Sequence, residues 1–259
     1  MPLQPHEIQD FYEECYTPGV DGEKYRQWRE LGALGKADHV VELARAIGLT
    51  APGSVVEVGC GDGAVLAELG RRGFGARHVA LEISESAVEL ARRRPEIAEA
   101  QVFDGTHVPA GDGAYDLAFA THVLEHVPSP GPLLREMMRA ARAVIVEVPL
   151  EDNLSARRPA ARAASEGAGH LQRFDRGQVR RLIVDAGWQV RAELLDPLPR
   201  EVHLFGRETA AARAKGWAKW AVRAALAGVP SLGTRLITMH YAVAATPGVG
   251  RRPGPTRSR

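Results

Sequence analysis

The sequence predicts an α/β fold: a doubly wound, mostly parallel sheet of seven strands with helices on both faces. Short apolar runs alternate with helical patterns between residues 54 and 195, and this alternation is typical of a parallel sheet. The strand segments are nearly continuous apolar runs, as expected for strands buried on both faces. A chain of 259 residues is long enough for one such domain with additional helices.

The individual elements follow from the sequence in order. Two helices are predicted within residues 5–48, where apolar residues recur at spacings of three and four. The segment TAPGS then interrupts the pattern. The predicted strands are SVVEVG, HVALEI, AQVFDG, YDLAFA, AVIVEVP, WQVRAELL and LITMHYAVAATP. The helices between them are predicted in GAVLAELGRR, in SESAVELARRR with Ser84 as N-cap, from Pro130 to Ala141, and in DRGQVRRLIVDAG.

The predicted organisation has three parts. Residues 1–48 form an N-terminal helical cap, residues 49–247 form the α/β domain, and residues 248–259 form a disordered tail rich in Gly, Pro and Arg. A helical insertion at residues 197–235, with one long helix, is expected before the last strand.

Composition limits the class of protein and its partners. The net charge of +1 gives no electrostatic bias toward nucleic acid, so no DNA partner is expected. Two cysteines, Cys15 and Cys60, indicate neither a disulfide framework nor a zinc cluster and suit the reducing cytoplasm. The N-terminal segment is polar and acidic, unlike a signal peptide, and no apolar run reaches the roughly 18 residues of a membrane span. We expect a cytoplasmic protein without a membrane span, and the oligomeric state stays open.

The segment VVEVGCGDG, residues 55–63, carries the clearest functional pattern. Glycine is required where φ is positive or where a ligand lies against the backbone, so this strand-to-helix turn predicts a binding site. The turn formally matches the dinucleotide pattern G-x-G-x-x-G/A. Glu57 would repel a pyrophosphate, however, and would attract a cationic ligand such as a sulfonium. Glycines that serve only packing are the simpler alternative.

From about Tyr25 to Gly187 the chain resembles the class I S-adenosylmethionine-dependent methyltransferases of the small-molecule type. The motifs that match in order are VVEVGCGDG, VALEIS, VFDG and YDLAFATHVLEHVPSP. The resemblance implies a Rossmann-like methyltransferase fold, S-adenosyl-L-methionine as cofactor and a small-molecule acceptor as partner. Glu82 closes the second strand about 20 residues after the last glycine of the turn, where an acid binds the ribose hydroxyls.

The same resemblance assigns the cofactor-binding residues. Glu57 orients the turn and the methionine end of the cofactor, and Asp104 contacts the adenine amino group. Thr121 and His122 border the methyl-donor end. The complete predicted set is Glu57, Gly59, Cys60, Gly61, Gly63, Glu82, Ile83, Asp104, Gly105, Thr121 and His122.

Two histidines are the predicted catalytic residues. Methyl transfer to oxygen or nitrogen often requires a base, and His122 and His170 are expected near the carboxyl ends of the strands. With Glu125 and His126 they resemble the E-x-x-E-H metal site of small-RNA 2′-O-methyltransferases and of ubiquinone-pathway O-methyltransferases, except that His122 replaces the first Glu. Such a set would favour zinc, iron or nickel over magnesium, but no metal is expected, and structural roles for most of the set are an alternative.

Four further residues are notable. Glu147 and Glu151 flank the end of the fifth strand, and Glu147 is unusual because it interrupts an apolar strand. Either acid is suited to bind a polar acceptor. His203 and His240 are interpreted as structural, because the sequence shows no partner for them.

The sequence therefore predicts an S-adenosylmethionine-dependent methyltransferase acting on a small molecule. O-methylation is favoured over N-methylation. The alternatives are an RNA 2′-O-methyltransferase, which would need an extended basic surface, and a cofactor-binding regulator without turnover.

Overall fold

The computed structural model describes residues 5–16 and 22–248. The predicted tail beyond residue 248, and residues 1–4 and 17–21 of the predicted cap, lie outside the described residues.

A mixed seven-stranded sheet forms the centre of the molecule, with the strand order β3-β2-β1-β4-β5-β7-β6. Its strands are β1 (Ser54–Val58), β2 (Arg77–Glu82), β3 (Glu99–Val102), β4 (Tyr115–Thr121), β5 (Ala141–Pro149), β6 (Trp188–Asp196) and β7 (His240–Pro247). Strands β1 to β5 pair in parallel, whereas β7 lies antiparallel between β5 and β6. The predicted doubly wound, mostly parallel sheet is confirmed.

Ten α-helices and one short 3₁₀ helix (Leu124–His126) occupy the described residues. The α-helices are α1 (Pro5–Tyr16), α2 (Glu23–Ala46), α3 (Ala64–Arg71), α4 (Glu85–Arg92), α5 (Pro130–Ala140), α6 (Pro159–Gly167), α7 (Arg176–Asp185), α8 (Arg200–Leu204), α9 (Ala210–Ala227) and α10 (Pro230–Leu236). Three short helices, α6, α8 and α10, were not predicted. Nine, five and seven residues give too few turns for a clear apolar period.

Side-chain hydrogen bonds cap the N-termini of α4 and α7. Ser84 Oγ accepts a 3.1 Å hydrogen bond from the Ala87 N–H, which confirms Ser84 as the N-cap of α4. At α7, the Asp175 carboxylate accepts from the Gln178 backbone, and the Gln178 side chain accepts from the Asp175 N–H. This reciprocal pair is a capping box, and it sets where the chain turns into α7.

Alternating strand positions fill two apolar cores, one on each face of the sheet. In β1, Val56 and Val58 face the core that α5 and α7 cover, whereas Val55 faces the core of α2, α3 and α4. Glu57 in β1 and Glu147 in β5 share the second parity, because Ala143 and Ile145 lie in that core. Both acids are thereby directed to the α2 face of the sheet.

The N-terminal helices lie against this frame. Glu13 of α1 accepts a 2.8 Å hydrogen bond from Ser84 Oγ, so α1 docks at the start of α4. Helix α2 packs on α3, β6 and β7, and helices α8 to α10 connect β6 to β7. In the residues that the structure covers, no helix combines the length and apolar character needed to cross a membrane.

Candidate active site

A cavity of about 890 Å³ opens at the carboxyl ends of the parallel strands. Its size lies near the top of the usual range for small-molecule sites, about 300–1,000 Å³. Except for Gly63, every residue of the predicted cofactor set lines the cavity, and so do both predicted catalytic histidines. Helices α1 and α2 and the segment before α8 form its remaining walls.

The glycine turn is held to the end of β2 by backbone hydrogen bonds. Gly59 N–H and Cys60 N–H both donate to the Leu81 carbonyl, at 2.7 and 3.0 Å. Gly61 N–H donates to Glu82 Oε2 at 2.8 Å. The turn and the acid predicted to bind ribose are therefore one hydrogen-bonded unit.

Close approach of other elements explains two of the glycines. Gly61 has a φ of 53°, and a Cβ there would overlap the Tyr16 hydroxyl at the end of α1. Gly59 has a φ of 72°, and its Cβ would lie 2.5 Å from a methyl of Val123. Both the conformation and the available space require glycine at these positions.

Two buried carboxylates border the turn. Glu57 is 1% exposed and accepts a 3.2 Å hydrogen bond from the Leu66 N–H of α3. Burial raises the pKa of Glu57 well above its ordinary value, against the opposing charge of Lys36. Burial also raises the pKa of Glu82, although backbone N–H groups including that of Gly61 stabilise its charged form.

Asp62, the third acid of the turn, is already neutralised. Its carboxylate forms ion pairs with Arg29 at 3.1 Å and with Arg94 at 3.2 Å. The charge of Asp62 is therefore balanced by two guanidinium groups.

Asp104 lies in the loop after β3 and is exposed at the cavity edge. Its Oδ1 accepts hydrogen bonds from His107 N–H at 2.6 Å, Thr106 N–H at 2.7 Å and Thr106 Oγ1 at 2.9 Å. These hydrogen bonds lower the pKa of Asp104, and the bond from the His107 N–H has the largest effect. The carboxylate is held ionised and in one orientation.

Five residues meet deeper in the cavity, and we call them the Glu147 group: His39, His122, Glu147, Asp196 and His240. Glu147 Oε1 lies 3.0 Å from His240 Nδ1 and 3.5 Å from His122 Nε2. Those two nitrogens lie 3.1 Å apart. Glu147 Oε2 lies 2.8 Å from Nδ1 of His39, whose Nε2 lies 3.3 Å from Asp196 Oδ2.

Sheet topology brings the Glu147 group together. Glu147 lies near the carboxyl end of β5 and pairs with Ala242, while His240 begins the antiparallel strand β7 and pairs with Pro149, so both lie at the same sheet edge. His39 reaches them from α2, which covers that face. His122 follows β4 in a left-handed backbone conformation with a φ of 60°. Its side chain therefore does not continue the regular alternation of side chains between the two faces of the sheet.

The shifted pKa values of the Glu147 group reflect mutual stabilisation. Burial alone would raise the pKa of Glu147, but hydrogen bonds from its three histidines hold it well below the ordinary value. Burial would lower the pKa of His39, but Asp196 and Glu147 raise it to about 10. Burial and the nearby His122 lower the pKa of His240 to about 4.

A second cluster, the Glu125 group, contains Glu125, His126, Glu151, Ser165 and His170. His170 Nδ1 lies 2.9 Å from Glu151 Oε2, and Ser165 Oγ donates to the same oxygen at 2.6 Å. The rings of His126 and His170 meet edge to face at 4.8 Å.

Glu125 is completely buried, and the described residues offer no hydrogen bond of good geometry to either carboxylate oxygen. His122 Nδ1 nevertheless lies 3.0 Å from Glu125 Oε1, and His126 Nε2 lies 3.9 Å from it. Burial opposes ionisation, but His122 outweighs it and lowers the pKa of Glu125 to about 2. His122 therefore links the two groups.

His122, His126 and His170 line the cavity, and Glu125 lies buried next to them, with Oε1 3.0 Å from His122 Nδ1. The structure also adds residues that the sequence did not assign to the site. His240, interpreted as structural, lines the cavity, and so do His39, Lys36 and Asp196. His203 is buried away from it, with Nε2 3.2 Å from the Pro197 carbonyl. The one sequence signal for the Glu147 group was a carboxylate inside an apolar strand, since a buried charge requires partners.

Comparisons with known proteins agree with this geometry. An uncharacterized methyltransferase of Mycobacterium sp. (strain JLS) is 33% identical over 118 residues, which cover 44% of this chain and 46% of that protein. The ubiquinone biosynthesis O-methyltransferase of Sodalis glossinidius (strain morsitans) is 32% identical over 99 residues, 34% of this chain and 37% of that protein. The chain thus spans less than half the length of these curated relatives.

A solved structure shows the same fold. It is the geranyl diphosphate C-methyltransferase from Streptomyces coelicolor A3(2), determined with Mg²⁺, geranyl diphosphate and S-adenosyl-L-homocysteine. The two chains are 12% identical, the superposition covers 96% of this chain and all of the other, and the TM-score is 0.64. The family described as "Methyltransferase domain" matches residues 25–193, more than half of the chain. The chain therefore belongs to the class I methyltransferases, the family whose methyl donor is S-adenosylmethionine.

Proposed function

We propose that this chain transfers the methyl group of S-adenosylmethionine to an oxygen atom of a small-molecule acceptor. One observation supports the proposal most strongly: a single cavity joins the glycine turn to residues of both the Glu147 group and the Glu125 group. A cofactor bound at the turn and an acceptor bound beside the histidines would therefore meet in the same enclosed space.

The cofactor would lie along the carboxyl ends of β1, β2 and β4. We assign Glu82 to the ribose hydroxyls and Asp104, through its second oxygen Oδ2, to the adenine amino group. Ile83 and Gly105 would flank the adenosyl moiety, with Thr121 and His122 at the methyl-donor end. A cationic ligand would favour the ionised forms of the buried Glu57 and Glu82, whereas those ionised forms would repel a pyrophosphate, because charges interact strongly where water is excluded.

A small, largely apolar acceptor suits the remaining space. Helices α1 and α2 line the cavity with aromatic side chains, which include Phe11, Tyr12, Tyr16 and Trp28. Such a cover excludes water during transfer. The name of the Sodalis glossinidius relative, an O-methyltransferase, also supports oxygen as the acceptor atom.

His170 is the residue that we assign as general base. Glu151 holds its Nδ1, which leaves Nε2 for the acceptor proton. In the transfer, His170 Nε2 would take the acceptor O–H proton as the oxygen bonds to the methyl carbon. Bound S-adenosylmethionine would supply that methyl group, with the electron pair of the S–C bond going to sulfur, and would leave as S-adenosylhomocysteine. His122 has both nitrogens within 3.5 Å of other cavity groups, so it is less free to accept a proton.

Methyl-labelled S-adenosylmethionine offered with three substrate panels tests the proposal. The panels contain small hydroxyl compounds, small amines and short RNAs. We expect label in an O-methyl product. Label only in amines or RNA would replace O-methylation by one of those reactions, and S-adenosylhomocysteine binding without transfer to any panel would favour a non-catalytic regulator.

We also propose a cytoplasmic location. Cys60 is buried, and its thiol forms no disulfide. A cysteine that stays reduced in this way supports a reducing compartment.

A further inference from the structure

We propose that His122 Nε2, Glu147 Oε1 and His240 Nδ1 bind a divalent first-row transition-metal ion at the cavity wall. Nothing in the sequence alone places Glu147 and His240 beside His122, and the proposal replaces the metal-free expectation for this region. Binding of the ion is independent of the proposed methyl transfer, whereas its suggested role rests on it.

The three atoms have the mutual spacing of ligands that share one ion. They lie 3.0, 3.1 and 3.5 Å apart. Ligand bonds of about 2.0–2.2 Å in tetrahedral or octahedral geometry place neighbouring ligand atoms about 2.9–3.6 Å apart. Two imidazole nitrogens and one carboxylate oxygen suit zinc, iron or cobalt better than magnesium.

Two of the three proposed ligands are oriented by contacts that their second polar atom makes with further side chains. His122 directs Nδ1 toward Glu125 Oε1 at 3.0 Å, which favours the tautomer with a free lone pair on Nε2. Glu147 directs its second oxygen toward His39 at 2.8 Å, and Asp196 lies on the far side of that ring. Protein metal sites commonly hold their ligands in this way.

The backbone at His122 is an independent observation. His122 has a φ of 60°, in the left-handed region that only a few per cent of non-glycine residues adopt, and residues held there cluster at ligand sites. The conformation persists because the His122 N–H donates to the Glu147 carbonyl at 2.8 Å. The backbone of His122 is thus bonded to Glu147, and the carboxylate of Glu147 lies beside the His122 imidazole.

The neighbouring Glu125, His126 and His170 fit an ion less well. His126 Nδ1 lies 3.1 Å from the Gly169 carbonyl, and His170 Nδ1 lies 2.9 Å from Glu151. The closest nitrogen of His126 to Glu125 Oε1 is 3.9 Å away. Their short contacts are made to other partners rather than to one common point.

Acidic groups lie around the proposed site. The carboxylates of Glu125, Glu147 and Asp196 belong to the network of the proposed ligands and His39, and the Lys36 side chain lines the same cavity. All three proposed ligands line the cavity, so the remaining coordination positions would face the acceptor. An acceptor hydroxyl bound there would lose its proton more readily, as oxygen ligands of divalent ions do.

Cobalt titration of the chelator-treated full chain tests the proposal. The probe is Co²⁺ alone, followed by its visible absorption, with Zn²⁺ competition as the second measurement. We expect one Co²⁺ per chain at micromolar concentration, displaced by Zn²⁺. His240→Ala and Glu147→Gln should weaken Co²⁺ binding at least 100-fold, whereas the buried His203→Ala is the matched control and should leave it unchanged.

His170→Ala separates the two clusters, and S-adenosylhomocysteine binding reports folding of each variant. Wild-type protein that binds S-adenosylhomocysteine but no Co²⁺ would overturn the metal site and leave the proposed function standing. Co²⁺ binding that survives both His240→Ala and Glu147→Gln but is lost in His170→Ala would also overturn it. If both substitutions at the Glu147 group prevent folding, His240→Gln provides the decisive variant, and unchanged Co²⁺ affinity there contradicts the assignment.

Discussion

The Gly61 N–H donates a 2.8 Å hydrogen bond to Glu82 Oε2 and so joins the turn after β1 to the end of β2. The Ile83 N–H donates to the other oxygen of the same carboxylate at 2.6 Å. The acid assigned to the ribose is therefore oriented by the backbone that is assigned to the rest of the cofactor. Pre-organisation of this kind lowers the ordering cost of binding a ligand.

Gly61→Ala should weaken S-adenosylhomocysteine binding by at least about tenfold, ~1.4 kcal/mol. The new methyl would overlap the Tyr16 hydroxyl and force either α1 or the turn to move. Isothermal titration calorimetry measures the effect. Gly73→Ala is the matched control, because Gly73 has a similar φ of 67° but open space around it. Equal losses in both variants would mean that backbone strain, not contact with α1, is responsible.

Glu82→Gln should weaken cofactor binding by about tenfold while the fold is kept. The amide retains the size of the carboxylate, but it loses the charge and one acceptor for the ribose hydroxyls. Glu89→Gln on the exposed side of α4 is the control and should bind as the wild type does. Unchanged affinity for S-adenosylhomocysteine in Glu82→Gln would remove Glu82 from the site.

His170→Ala should lower kcat by about 10²–10⁴-fold, the usual size of a general-base contribution. Cofactor affinity should stay nearly constant, because we assign binding of the nucleoside to the glycine turn, Glu82 and Asp104. Steady-state kinetics with a hydroxyl acceptor gives the answer, and the acid limb of the pH–rate profile should disappear in the variant.

Two companion variants sharpen this test of His170. Glu151→Gln should also lower kcat, although less than His170→Ala does, since the carboxylate that orients the His170 ring through Nδ1 is gone. His203→Ala changes a buried histidine outside the cavity and should leave the profile as it was. A wild-type kcat in His170→Ala would contradict the assignment of His170 as general base and would leave the proposed cofactor site unaffected.

Glu193 should make folding stability depend on pH. It accepts hydrogen bonds from Tyr241 of β7 and from Arg176 and Arg180 of α7. Burial would raise the pKa of Glu193, but Tyr241 and Arg176 outweigh it and lower the value in the folded state. The ionised carboxylate therefore stabilises the fold above its unfolded-state pKa, and this contribution is lost as the pH falls through the folded-state value.

Denaturant unfolding of the wild type and Glu193→Gln from pH 7 downward measures this contribution. The wild type should be the more stable protein at pH 7, and the difference in free energy of unfolding should shrink toward pH values of about 3. A difference that stays constant with pH would show that the contacts of Glu193 act through packing rather than charge.

The sequence predicted the sheet because apolar runs mark the strands locally. The glycines of residues 59–63, Glu82 and Asp104 follow strand ends, and parallel strands bring such ends to one edge without further information. Apart from Gly63, these residues line one cavity, and their role in cofactor binding stays a prediction.

The acceptor side could not be predicted in the same way. His39, Glu147 and His240 come from a helix, a parallel strand and an antiparallel strand, and 108 residues separate the bonded pair His39 and Glu147. Their meeting depends on the insertion of β7 between β5 and β6, which no local pattern encodes. The left-handed backbone of His122 could not be predicted either, because most histidines still adopt negative φ.

Calorimetric titration of the wild-type chain with S-adenosylhomocysteine tests the central claim most directly. We expect one binding site per chain with a micromolar Kd, roughly −8 kcal/mol, and a weaker affinity for S-adenosylhomocysteine in Gly61→Ala. NADH serves as the competing ligand for the glycine turn. Binding of NADH with no response to S-adenosylhomocysteine or S-adenosylmethionine would contradict the account.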